Sequence, residues 1–155
     1  MQLLAHAFAK AAMFMAAGLI AESLGHDRIA DLGGIGRAMP MTVFAFGLGG
    51  LSLMGLPPSG GFAAKWLLLM ASVEAGQFFW PGVMLAGGLL AGGYIYRVLA
   101  PALASGSAPL TAPAQRSREA VVLALALFAT LLGFAPPAFF ELLQIGRGAA
   151  IDCPQ

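Results

Sequence analysis

Four long apolar runs, separated by short polar or Pro/Gly-rich stretches, restrict this chain more than any other feature does. They cover roughly Leu3 to Ala21, Pro40 to Ala75, Trp80 to Ala100 and Glu119 to Phe134, and a span needs about 20 mostly apolar residues to cross a bilayer. Only 10% of the 155 residues are charged and 59% are apolar, with a mean hydropathy of +0.85, whereas soluble domains carry ~25% charged residues. Such a chain cannot cover a water-facing surface. It is expected to be an all-α integral membrane protein, because hydrocarbon leaves backbone groups no partners outside a helix or a closed barrel.

Several function classes fall away at once. A net charge of +1 points neither to nucleic acid nor to an acidic partner. The single cysteine, Cys153, closes no internal disulfide, and no spacing of His, Cys, Asp or Glu suggests a metal site. No cofactor is expected. Met1 to Ile20 carries His6 and Lys10 inside its apolar stretch and has no basic leader, so it reads as a span already under way rather than a signal peptide. A split gene, a truncated product or a late start codon would each produce that pattern.

The second apolar run poses the topological choice. About 36 residues would make a helix of ~54 Å, too long for one straight crossing of a ~30 Å core. The run is interrupted by Gly55-Leu56-Pro57-Pro58-Ser59-Gly60-Gly61, so it forms either two short crossings or one broken, tilted crossing. Lys and Arg near span ends gather on the cytoplasmic side, and this bias favours the single broken crossing. Arg28, Arg37, Arg97, Arg116 and Arg118 then share one side and only Arg147 opposes them. Two crossings would split the arginines evenly. The expectation is therefore four spans, or five if the second run crosses twice. Both chain ends lie outside, a Ser/Ala/Pro-rich cytoplasmic linker covers 101–118, and a terminal helix with a polar tail covers 119–155.

Lys65 is the most informative residue. It follows the Pro-Pro-Ser-Gly-Gly break within apolar sequence, and a lysine at membrane depth costs at least ~2.5 to 3.5 kcal/mol on insertion scales. Such residues face a protein interior or a water path, and broken helices recur at ion sites in transporters. Pro57 and Pro58 remove two backbone donors, and Gly60 and Gly61 belong to the same helix break. A desolvated lysine is able to take up and release protons near neutral pH. The competing reading makes the break a surface turn, with Lys65 snorkelling to the interface, charged and inert.

His6 and Lys10 stand four residues apart and share one helix face, where an imidazole and an amine can pass a proton along water. The same pair also fits a polar helix end at the interface. Glu22, Asp27 and Asp31 lie among Arg28 and Arg37 in a stretch that reads as a solvated charged loop. Glu74 is nine residues, two and a half turns, from Lys65, and so points to nearly the opposite face. Glycines at 47, 49, 50, 87, 88, 92 and 93 let helices approach closely. Gly47-Leu48-Gly49-Gly50 has no strand and helix to make it a nucleotide loop.

Three strings, in this order and spacing, resemble a known family. They are His-Ala-Phe-Ala-Lys-Ala-Ala-Met-Phe at 6–14, Asp-Leu-Gly-Gly-Ile-Gly-Arg-Ala-Met-Pro at 31–40 and Leu-Ser-Leu-Met-Gly-Leu-Pro-Pro-Ser-Gly-Gly-Phe-Ala-Ala-Lys at 51–65. Together they are similar to the antiporter-like membrane subunits of NADH:quinone oxidoreductase (chains L, M and N), of membrane-bound hydrogenases and formate hydrogenlyase, and of multi-subunit sodium/proton antiporters. The resemblance covers roughly residues 1–100 well and the rest loosely. It implies two inverted five-helix repeats, each with a broken helix, joined by a mid-membrane row of lysines, histidines and glutamates.

On that resemblance, Lys65 matches the lysine or glutamate of the second broken helix, and Lys10 and His6 match polar positions of the helix before it. The chain corresponds to about the last four of some fourteen helices and lacks the first repeat. The resemblance therefore implies a subunit, or a split piece, of a proton- or sodium-translocating complex in the inner (plasma) membrane. Other membrane subunits would supply the missing helices, and the chain would be at most a non-catalytic translocation subunit. The alternative is a non-conducting structural or assembly module. Direct chemistry on quinone or lipid is disfavoured, since no flavin, nicotinamide or metal motif appears.

Overall fold

The computed structural model of the chain describes residues 2–108, 110–112 and 115–134. The described residues form helices joined by turns, with no strand among them: α1 (Gln2–Leu24), the single turn α2 (Ile35–Ala38), α3 (Pro40–Met54), α4 (Gly60–Glu74), α5 (Phe79–Leu103) and α6 (Arg116–Leu131). Short 3-10 turns sit at Ile29–Asp31 and Leu132–Phe134. The expected exit past Phe134, Arg147, Cys153 and the tail lie outside the described residues.

Helices Gln2–Leu24, Phe79–Leu103 and Arg116–Phe134 are long and apolar enough to cross a membrane, and Pro40–Met54 is a shorter apolar helix. The broken second run settles as one crossing. At 15 residues each, α3 and α4 reach only ~22 Å, short of the hydrocarbon thickness. Helix α5 runs antiparallel past both in turn. Along α5 toward its start, Leu99 lies against Gly47, Ile95 against Gly50, Gly92 against Met54, and Gly88 against Lys65. Beyond that point Leu85 and Met84 share a cleft with Trp66 and Leu69 of α4. The chain thus continues in one direction through the break, and four crossings result.

Small residues set the helix spacing. Helix α1 buries Ala5, Ala9, Ala12 and Ala16 on one face, and without bulky side chains its neighbours α3 and α6 can approach its backbone. A Cβ on Gly49 of α3 would come within 3.1 Å of the Ala9 carbonyl oxygen. The core adds Met13, Ile20, Leu24, Ile35, Met39, Phe46, Val122 and Ala126. Most of α5, by contrast, is exposed: Leu85, Leu89, Leu90 and Tyr96 face outward, as expected of a helix that meets lipid or further helices.

One end of the bundle gathers the loops and the arginines. The Thr111 N–H and hydroxyl both donate to the Ser23 carbonyl, at 2.8 and 2.9 Å, and the Gly34 N–H donates to the Ala104 carbonyl at 3.1 Å. Arg118 pairs with Glu22 at 3.0 Å, while His26 lies 3.9 Å from Asp31. All described arginines (28, 37, 97, 116 and 118) lie toward this end. Helix α5 extends through Pro101 to Leu103, into the stretch read as linker. The linker's described part docks on the ends of α1 and α2 because those helix ends leave carbonyl and amide groups to be satisfied.

Candidate functional site

The break between α3 and α4 satisfies its own backbone. Gly55 turns left-handed (φ +77°), its N–H donating to the Leu51 and Ser52 carbonyls, and the Leu56 N–H donates to the Leu51 carbonyl at 3.0 Å. This is the glycine-terminated helix end that ties off the last carbonyls. Ser59 then starts α4: its hydroxyl accepts the Phe62 N–H at 3.1 Å and donates to the Leu56 carbonyl at 2.7 Å. Gly61 packs so tightly on α3 that a Cβ there would overlap the Ser52 carbonyl.

Lys65 reaches back across this break. Its Nζ donates to the Met54 carbonyl at 2.8 Å, and α5 admits the pair because a Cβ on Gly88 would lie 3.0 Å from both atoms. The cation thus sits where the macrodipole of α3 is negative. The surrounding cleft of about 430 Å³ has Met54, Phe62, Trp66, Leu69, Leu85 and Leu89 among its lining residues. Gly88 lies nine residues into the 25-residue α5, or ~13 Å from its start. Along α5 the amine thus lies about a third of the way from the helix start, while the break beside it meets Ala5 near the start of α1 and Leu132 just past α6. Lys65 itself is half-buried in the chain rather than enclosed. Glu74, on the exposed far part of α4, plays no part in this bond.

His6 and Lys10 do share one face of α1, but it is the face turned away from the alanine seam, and both side chains are exposed. Lys10 Nζ lies 6.0 Å from the centre of the Phe14 ring. No residue of α1 lines the Lys65 cleft, which is built from α3, α4 and α5. The residues expected to act together therefore fall into two places. Among the described residues no cluster of three or more His, Cys, Asp and Glu side chains suits a metal ion.

Sequence reasoning missed two polar positions. Glu119, in the first turn of α6, is 7% exposed, and its carboxylate accepts the hydroxyl proton of fully buried Thr42 at 2.9 Å. A carboxylate at the head of an apolar run was its only sequence signal, and its partner lies 77 residues away. Ser52 is 3% exposed, and its hydroxyl has no hydrogen-bond partner among the described residues.

Comparison with known proteins places this geometry in context. Residues 1–91, more than half of the chain, match the family model described as NADH:quinone oxidoreductase/Mrp antiporter, TM. Subunit N of NADH-quinone oxidoreductase from Desulforudis audaxviator is 36% identical over 116 residues, covering 75% of this chain and 23% of that protein. Formate hydrogenlyase subunit 3 of Escherichia coli is 32% identical over 106 residues, covering 68% of this chain and 15% of its own length. The chain thus spans less than a quarter of either relative. A chain of an Mrp complex from Dietzia sp. shares the fold with a TM-score of 0.75 at 24% identity, covering 90% of this chain and 34% of its own. The ordered sequence strings, the broken crossing and the family match agree: this protein belongs to the NADH:quinone oxidoreductase/Mrp antiporter transmembrane family.

Proposed function

We propose that the chain is the part of a proton-translocating membrane complex that carries one protonatable station, Lys65, at a helix break. The observation that carries the reading is the Lys65 bond across the break. A primary amine, drawn from one half-helix to the carbonyl end of the other at 2.8 Å, ties local charge to the geometry of a discontinuous helix. A protonated amine holds the α3 end through a charge-assisted bond, and a deprotonated one loses most of that attraction. Proton arrival and departure would then be felt by both halves of the crossing.

Lys10 and His6 would continue the path on the outer face of α1. An exposed amine and imidazole at membrane depth are costly against lipid, so that face is better suited to other membrane helices than to hydrocarbon. Further subunits, or further helices of a longer chain, would supply those neighbours and the acidic partners that two lysines need. Proton transfer is favoured over sodium because the Lys65 cleft offers a basic amine where a sodium site would need oxygen ligands. The arginine-bearing end would face the cytoplasm, with the chain in the inner (plasma) membrane. A non-conducting module is the competing reading, and the separation of Lys10 and His6 from the Lys65 cleft is its support.

The test is Lys65→Ala in the intact complex, reconstituted in sealed vesicles with a fluorescent pH probe. Proton translocation is expected to fall at least tenfold with the complex assembled at normal levels. Unchanged translocation would leave the non-conducting module as the better account.

A further inference from the structure

We propose that Ser52 holds an ordered water inside the α3–α4 break, on the side of α3 away from Lys65, and that this water carries protons past the end of α3. Three observations converge on the position. Among the described helix hydroxyls, Ser72 and Thr130 turn back onto their own helix, donating to the Leu68 carbonyl at 2.8 Å and the Ala126 carbonyl at 2.9 Å, while Thr42 donates to the Glu119 carboxylate. Ser52 makes no such bond although it is 3% exposed, and its Oγ finds no partner among the described residues. Buried hydroxyls in folded proteins are almost always partnered, by protein or by water.

The second observation is what the hydroxyl faces. Ser52 Oγ lies 3.2 Å from where a Cβ of Gly61 would be, at the start of a helix whose first N–H groups have no intrahelical acceptor. Ser59 accepts that of Phe62, leaving those of Gly60 and Gly61. A buried water needs two to four polar partners, and a hydroxyl beside two free N–H groups supplies them. An anion is disfavoured because the Ser52 carbonyl crowds the same glycine. Water, which both donates and accepts, suits this mixture.

The third observation is direction. Ser52 and Met54 are two residues apart, so they project about 200° apart around α3. Lys65 and Gly88 occupy the α5 side of the break, while Gly60 meets Ala5 of α1 and Leu132 beyond α6 on the other. Gln2, one turn before Ala5 on α1, has a second buried side-chain oxygen without a partner among the described residues. A water on Ser52 would link the Lys65 cleft to this α1 side. The transport role rests on the reading of Lys65 as a proton station; the water site does not.

The experiment is an electron cryo-microscopy map of the intact complex, at a resolution that shows ordered waters elsewhere at the same depth, paired with Ser52→Ala. Density is expected about 2.7–3.2 Å from Ser52 Oγ and lost in the variant. A map with waters elsewhere and none at Ser52 overturns the site. In vesicles, Ser52→Ala should assemble normally and translocate protons severalfold more slowly. If the hydroxyl were merely packed, deleting it would be harmless to assembly and transport alike. Full transport in Ser52→Ala beside a dead Lys65→Ala overturns the proton-carrying role alone. Full transport in both overturns the Lys65 reading and that role together, and the map then decides the water site by itself.

Discussion

Both ends of α3 meet a charged side chain from another helix, and the two junctions are built differently. At the start, the Glu119 carboxylate is 7% exposed and accepts from Thr42 at 2.9 Å, a buried side chain to side chain bond between α6 and α3. At the other end, the half-buried Lys65 amine donates to the Met54 backbone carbonyl at 2.8 Å beside an apolar cleft. Each charge has the sign the helix macrodipole favours, acid at the positive end and base at the negative end. The first junction is enclosed and fixes the register of α6 against α3. The second is open on one side, and in the proposed function its amine is the group that exchanges protons.

Gly61 should show the largest effect, because it holds the broken end together. With a Cβ there overlapping the Ser52 carbonyl, Gly61→Ala must separate α4 from α3, at about 3 kcal/mol or more. Folded chain recovered from membranes should fall several-fold on size-exclusion profiles. Normal recovery would mean that the two half-helices are not held in contact. Next comes the sealed end. Glu119→Ala leaves the Thr42 hydroxyl buried without its acceptor and should cost about 1–3 kcal/mol in detergent unfolding, whereas Glu119→Gln keeps an acceptor and should cost less. Equal losses in the two variants would show that charge, not the hydrogen bond, matters there.

Arg118→Ala should have the smallest effect. Its pair with Glu22 is about half exposed on both sides, and exposed pairs contribute below about 1 kcal/mol. A larger shift in the same unfolding assay would mean that this end of the bundle is not solvated.

How far these junctions are legible in the sequence follows the same division. Pro57-Pro58-Ser59-Gly60-Gly61 announces the break because proline donors and glycine conformations act locally, and the arginine bias announces which loops share an end. That a lysine stands close to the break is legible too. Its partner is not, since Met54 contributes a backbone carbonyl, which carries no residue-type signal. Thr42 and Glu119 meet only through tertiary packing of helices far apart in sequence, and neither local pattern nor periodicity could pair them. The i, i+4 spacing of His6 and Lys10 correctly puts them on one face. It could not tell which face turns outward, because alanines on the buried side and apolar residues on the exposed side look alike by hydropathy.

The most direct test of the central claim separates charge from proton exchange at the broken end. Lys65→Arg keeps a permanent cation able to donate to the Met54 carbonyl, yet cannot release its proton at any working pH. The account predicts that the arginine variant assembles and unfolds like the parent while proton translocation by the intact complex drops as far as in Lys65→Ala. Translocation restored to the parent rate by arginine would contradict it, leaving Lys65 a strut across a broken helix.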